Sequence, residues 1–388
     1  MRARMTHRER ALAALNHQEP DRVPIDLSGA AGDFITIGAY RRLLDHLGFG
    51  GRAIATLRKD MQYAVVDEDI LRLYDLDFRR VDLGAPDYFT PEEGPDDSYR
   101  DAWGVLRRRP AGGFYYDLVP GTSPLKDAAS VADLDRYPWP DPHDPGLFRG
   151  LRERTKRLHE ETDYAVVLAV SCEFFGIAAL LRGWEEFYVD LVENPAFAEA
   201  LMDRCLGYHL AVTKHALEEA GEFADVVVAS RDDFGGMDGL LVSPAVFRRL
   251  LKPRLKKVLD LFKNGTSAKR FMHCDGAIAE ILPDLIELGV EALNPIQVSA
   301  AGMGDTRKLK REFGADLTFW GGIDTQYVMP RGSVEEVRQE TRRRISDLAP
   351  GGGYVLCTVH SIQPDVPPTN VIAMYEAVNE FGWYPLRG

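Results

Sequence analysis

The stretch "YAVVLAVS", residues 164–171, runs through Ala165, Val166, Val167, Leu168, Ala169 and Val170 without a polar side chain. A strand with one wet face alternates apolar and polar residues. An unbroken apolar run of this length predicts a strand buried on both faces, which is the mark of a parallel sheet. The same reading extends outward along the chain. "VPIDLS" at 23–28 and "DFRRVDLG" at 77–84 precede it, and "ADVVVAS" at 224–230 follows. "KRFMHCD" (269–275), "EALNPIQ" (291–297), "LTFWGGID" (317–324) and "GGYVLCTVH" (352–360) complete the series. Helical segments such as "AIAEILPDLIELG" and "VEEVRQETRRRISDL" separate the later runs, and a long helical stretch is predicted over 178–220. About eight strand–helix units in this length predict a (β/α)8 TIM barrel. The rival, a doubly wound open sheet, would place a glycine-rich nucleotide loop after the first strand, and none follows it.

Two features decorate this plan. Residues 6–17 read as an amphipathic N-terminal helical extension, with Thr6 and Glu9 spaced as a capping box. Residues 85–146 are rich in Pro, Gly and Asp with short aromatic strands, and are expected to form an insertion or hairpin layer. The chain, 1–388, is expected to be one barrel domain.

Composition narrows the function. The 388 residues are 45% hydrophobic and 28% charged, with a formal net charge of -13. Such an acidic surface opposes nonspecific binding to nucleic acid or an anionic membrane, while leaving local potential in a cleft free to differ. No apolar run reaches the length of a membrane span. The four cysteines make no CxxC pair and form no disulfide framework. A reducing, cytoplasmic setting is expected.

In (β/α)8 barrels the active site lies at the C-terminal ends of the strands. The strand reading therefore nominates Asp26 and Ser28, Glu173, Arg231 with Asp232 and Asp233, His273 with Asp275, Gln297, Asp324, and His360. Polar groups converging in an apolar mouth need a partner, because desolvation is costly. Alternate residues of a strand share a face. His273 and Asp275 then point into the mouth while Cys274 faces the helices. Applied to "VLCTVH", the same parity turns Thr358 and His360 inward and Cys357 outward. Two imidazoles and one carboxylate with open positions suit catalytic zinc or another divalent transition metal. The other reading of His273, Asp275 and His360 is a hydrogen-bonded group that orients substrate without metal. Among the remaining residues, Asp233, Glu173 and Asp324 are the candidate catalytic groups, and Asp26, Arg231 and Gln297 the candidate substrate contacts.

The DxHxxG pattern in "DPHDPG" (141–146) matches an axial corrinoid ligand in spelling only, since no strand precedes it and no later glycine-rich segments follow. No P-loop, GxGxxG or GxSxG context appears.

"HRERALAALNHQEPDRVPI", "DDFGGMDGLLVSPAVFRRLLKPRLKKVLD", "HCDGAIAEILPDLIELGVEALNPIQ" and "GGGYVLCTVHSIQPDVPPTNVIAMYEAV" resemble the uroporphyrinogen decarboxylase superfamily, especially its corrinoid-linked methyltransferase branch. The resemblance runs from about residue 6 to 382 and implies a (β/α)8 barrel. The porphyrinogen decarboxylases of the family carry an arginine-rich segment after the first strand. This chain has "IDLSGAAGD" there, which argues against a polycarboxylate porphyrinogen as substrate. The methyltransferases carry zinc on a His-x-Cys pair and a distant Cys. Here His273 matches the histidine, Asp275 stands where the cysteine would be, and His360 lies near the third position. The resemblance thus implies a zinc-type site with harder donors. It also implies methyl transfer from a small donor to a corrinoid held on a separate partner protein or to a related acceptor, and a harder metal centre, which better polarises an oxygen, suits a methoxylated donor. A carboxy-lyase acting on a small carboxylic acid is the alternative, a thiol-accepting methyltransferase using Cys274 or Cys357 remains open, and so does a homodimer.

Overall fold

The computed structural model describes residues 4–30 and 32–386. Seven strands hydrogen-bond in one curled parallel sheet: Phe78–Asp82, Ala165–Ala169, Val226–Ser230, Lys269–His273, Ala292–Asn294, Thr318–Trp320 and Tyr354–Val355, each beside its neighbour in sequence. The gap between the first and last is filled by residues 24–26. Ile25 bridges Leu356 in parallel, the Leu356 amide donates to Pro24 at 2.9 Å, and the Asp77 amide donates to the Ile25 carbonyl at 3.0 Å. The expected first strand is thus reduced to a single rung, yet as the first of eight staves it closes the ring.

That rung is held by an unusual carboxylate. Asp77, fully buried, accepts the Ile25 amide at 2.8 Å, Arg22 Nη2 at 2.9 Å, Arg10 Nη1 at 2.7 Å and His7 Nδ1 at 2.9 Å. Arg10 also grips Asp21 through Nε at 2.7 Å. The network fastens the helix His7–Leu15, capped by the expected Thr6–Glu9 box, across the bottom of the barrel. Ala11 and Leu15 of that helix plug the interior beneath Phe78, Val167, Val228, Phe271 and Trp320. The Trp320 ring packs on Phe78 at 4.5 Å and Phe271 at 5.0 Å, so the barrel is filled, not hollow.

The predicted helix over 178–220 is three helices: Phe175–Arg182, Trp184–Glu193 and Pro195–Ala220. Gly183 breaks it with φ 103°, a left-handed conformation that side chains resist, and Pro195 starts the third helix. Between the second and third staves lies the expected layer, an antiparallel meander of Glu92–Gly94, Ser98–Arg100, Leu106–Arg108 and Asp117–Leu118. A second excursion, between the first two staves, carries the hairpin Thr56–Arg58 with Tyr63–Ala64. Both excursions arch over the C-terminal end of the barrel. No helix among the described residues is long and apolar enough to cross a membrane.

Removing one member of a buried ion network leaves the others charged and unpaired, at a cost of about 3–5 kcal/mol. Asp77→Ala is expected to lose stability of that order in denaturant titration. Burial pushes the Asp77 carboxyl up, but Arg22, His7 and Arg10 hold it below the usual range. Its contribution is therefore present above the ordinary carboxylate range and lost as pH falls through its lowered value. The acid limb of the stability curve should be shallower in the variant; an unchanged limb would remove Asp77 as the tie.

Candidate metal centre

His273 ends the fifth stave, and its register partner on the sixth is Asn294. Their side chains meet: His273 Nδ1 lies 2.6 Å from Asn294 Oδ1. The amide nitrogen of Asn294 is occupied by the Trp320 carbonyl at 3.0 Å, so its oxygen is the atom facing the imidazole. Nδ1 must then carry the hydrogen, and Nε2 is directed at the barrel mouth with a free lone pair or a second proton. Gly32 crosses above with φ 82°, and a Cβ there would stand 2.5 Å from the imidazole.

Asp275 and His360 complete the cluster. His273 Nε2 is 3.4 Å from Asp275 Oδ2, and His360 Nε2 is 3.6 Å from the same oxygen. One ligand atom from each of the three lies within 4.8 Å of the others. The Asp275 amide donates to Asp233 Oδ1 at 2.7 Å, which fixes the loop, while Asp275 Oδ1 is buried without a hydrogen-bond partner. On the outer side, His360 Nδ1 lies 3.5 Å from Tyr115 Oη, which also receives Gln363 Nε2.

The electrostatics are those of a site with excess negative charge. Burial opposes charge on His273, but Asp275 and Asp233 outweigh it and push its pKa up to about 9. Burial likewise raises Asp275, and His273 and His360 bring it below the usual range. His360 is lowered by burial, with His273 and Arg58 adding to the effect. Asp233 is pushed up to about 6 by burial and by the Asp275 charge. The residues fit a divalent metal: an orphaned carboxylate oxygen, two imidazole Nε2 atoms converging on one carboxylate, and an Asn294 brace that sets the ligand tautomer.

The other nominated residues divide. Asp233, Glu173 and Arg231 line the same chamber, a cavity of about 760 Å³ above the cluster. Glu173 is paired with Arg231 at 2.7 Å and held down to about 2: burial acts upward, and Arg231, Arg58 and His209 overcome it. Gln297 accepts the Gly276 amide at 2.6 Å and lines a smaller outer cavity with Asp275 and His360. Asp232, buried, receives the amides of Phe174, Phe175 and Gly176 and serves the start of a helix. Asp324 spends Oδ1 on the amides of Gln326 and Tyr327, capping its own turn, and lines neither cavity. Asp26 lies below the mouth, accepts the Ala30 amide at 3.0 Å and is raised by burial and by Asp33 beside it; it does not reach the chamber.

The cysteine parity holds on one strand and fails on the other. Cys274 joins the outer core between barrel and helices, as expected. Cys357 packs inside the barrel with Val355 and Trp320, because the eighth stave ends at Val355 and the chain bends before His360. Alternation does not carry through a bend, so both residues face inward at different depths. Asn294, Tyr115, Tyr63 and Arg58 were not singled out from the sequence. Asn294 was open to it, as the last residue of a recognised strand beside His273. Tyr115, Tyr63 and Arg58 come from the two excursions, which no periodicity places over the barrel.

Comparison with known proteins agrees with this architecture. The family pattern described as uroporphyrinogen decarboxylase (URO-D) matches residues 104–381. A uroporphyrinogen decarboxylase from Pseudoalteromonas translucida is 33% identical over 69% of this chain and 74% of its own length. The methylcobamide:CoM methyltransferase MtaA of Methanosarcina barkeri is 28% identical over 43% of this chain, and the match spans only 44% of that enzyme. A solved methyltransferase from Methanosarcina mazei superposes over 97% of this chain and 99% of its own, with a TM-score of 0.63 at 21% identity, a likeness of fold.

Zinc or cobalt(II) titration of the metal-free chain should show one site that releases protons. With the His273 imidazole pushed up to about 9, the metal must displace its proton, so affinity should rise about tenfold for each unit of pH increase across the neutral range; a pH-independent affinity would refute the ligand set. Tyr115→Phe should weaken zinc binding by about 10–100-fold and alter the cobalt(II) visible spectrum, since outer partners of ligands carry effects of that size. Tyr116→Phe, the neighbouring control, should change neither.

Proposed function

The chain belongs to the uroporphyrinogen decarboxylase (URO-D) family, and from that premise we propose that it is a metal-dependent methyltransferase moving a methyl group from a small methoxylated donor to the Co(I) of a corrinoid protein. The observation that carries the reading is the convergence of His273, Asp275 and His360 within 4.8 Å beside a buried, unpartnered carboxylate oxygen. These three residues would hold zinc or a similar divalent ion, which when bound supplies Lewis acidity to an oxygen of the donor. Imidazole and carboxylate make a harder centre than thiolates do, and a harder centre favours oxygen over sulfur. The name of the Methanosarcina barkeri relative, a methylcobamide methyltransferase, supports the corrinoid as the other reactant.

The chain's own groups have distinct tasks. Asn294 holds His273 through Nδ1, and Tyr115 holds His360 through the same atom of that ring. Asp233, raised to about 6, keeps a proton on its carboxyl over part of the neutral range and can pass it to the leaving oxygen. The C–O bond breaks with its electron pair on oxygen, and the methyl carbon is taken by the cobalt nucleophile. Phe34, Tyr63 and Leu180 on the chamber wall keep water from competing for the methyl group.

A carboxy-lyase is the second reading, favoured by the arginines Arg58 and Arg231 on the chamber wall, which suit a carboxylic acid. Residues 27–33, directly after the first stave, carry no arginine, which disfavours a polycarboxylate porphyrinogen.

Incubation of the zinc-loaded chain with Co(I) cobalamin and methoxylated aromatic compounds should produce methylcobalamin, read by its absorption spectrum. His273→Ala should abolish both the product and the bound zinc. Carbon dioxide release without any methylcobalamin would hand the assignment to the lyase.

A further inference from the structure

Beside the main chamber lies a second cavity of about 310 Å³, with the Phe34, Tyr63, Arg58 and Arg231 side chains on the walls of both. Its lining is cationic in a chain that is acidic overall. Arg58 arrives from the hairpin between the first two staves, Arg80 from the second stave, and Arg231 from the end of the fourth. One carboxylate, Asp82, shares the lining and is paired with Arg80 at 2.7 Å.

Two of the guanidiniums are braced but not used up. Arg58 binds Asp60 through Nε at 2.9 Å and Nη2 at 2.8 Å. Arg231 binds Glu173 through Nη2 at 2.7 Å and Ser171 through Nε at 3.0 Å. Nη1 of each has no hydrogen-bond partner among the described residues. The braces fix the planes of both forks, which lowers the ordering cost of receiving a ligand. Both side chains line the side cavity and also the chamber that holds His273, Asp275 and His360, so the pair stands between the side cavity and the metal cluster. An independent sign of a missing ligand is His209: it lines the side cavity, its ring stacks on Trp103 at 5.7 Å, and its Nε2 is buried with no partner. The common wall of the two cavities is the stacked pair Phe34 and Tyr63, with ring centroids 4.3 Å apart. Arg80 sits over the Phe34 ring at 5.1 Å.

We propose that Arg58 and Arg231 form the binding site for the carboxylate of an aromatic acid, whose ring lies against Phe34 and Tyr63 and whose far end reaches the His273 cluster. A planar carboxylate matches the free edge of a guanidinium, and the aromatic wall matches a flat ring. The direction of the ligand rests on the reading of that cluster as the methyl-donor end; the anion site itself does not. Under that reading the donor class is a methoxylated aromatic carboxylate, not a neutral aryl ether.

The test is calorimetric binding to the zinc-loaded full chain, separate from any turnover, with benzoate, 4-methoxybenzoate and the neutral 4-methoxybenzyl alcohol. Both acids should bind, the alcohol at least about tenfold more weakly, and Arg58→Gln and Arg231→Gln should each cost the acids about tenfold or more with the fold, read by circular dichroism, unchanged. An alcohol that binds as tightly as the acids would overturn the site. So would no binding of either acid, or undiminished acid affinity in an Arg58→Gln chain whose circular dichroism matches the parent. Acid binding without methylcobalamin formation would keep the site and discard the methyltransferase. Methyl transfer from neutral ethers without acid binding would do the reverse.

Discussion

The barrel depends on how it is closed. Seven staves supply a regular ladder, but the first contributes one rung at Ile25, too little to hold a ring shut by backbone bonds alone. The Asp77 carboxylate makes up the difference. It accepts the Ile25 amide directly and anchors Arg22, Arg10 and His7, so the seam and the plug helix are fastened by one buried side chain. A charge so buried is tolerable only because its lone pairs are all used. The closed ring then brings the end of the fifth stave and the bend after the eighth to a common mouth.

At that mouth the fold spends its stability on polarity. His273, Asp275 and Asp233 are gathered in a space that disfavours charge, and the groups move one another's pKa values in opposite directions. The braces lie one layer out: Asn294 behind His273, Tyr115 behind His360, Ser171 and Glu173 behind Arg231. The cluster is thus preorganised by residues from the sixth stave, the insertion and the third stave together. The two excursions, far from being ornament, supply the aromatic and arginine walls that turn an open barrel end into chambers.

The eight apolar runs, the capping box at Thr6 and the spacing of His273 and Asp275 are local facts, and burial on both faces follows from the runs alone. These the sequence by itself determined, because period and hydrophobicity are readable within a few residues. The face of Cys274 belonged to the same class, since it follows the strand directly and its amide still donates to the Asn294 carbonyl at 2.7 Å. The face of Cys357 did not, because the chain bends at Val359 and His360 and ends the alternation, and a bend is set by what the chain must pack around.

What tertiary structure alone decided is which distant atoms share a space. Nothing in the spelling of "GFYYDLV" says that Tyr115 stands 3.5 Å from His360, or that Arg58 lines one chamber with the Glu173–Arg231 pair, or that Asp324 turns back on its own amides. Those contacts span long loops whose paths are fixed by closure and packing of the whole ring. The sequence determined the staves and the chemistry at their tips; only the closed barrel decided which tips meet, because convergence is a property of the circle and not of any one strand.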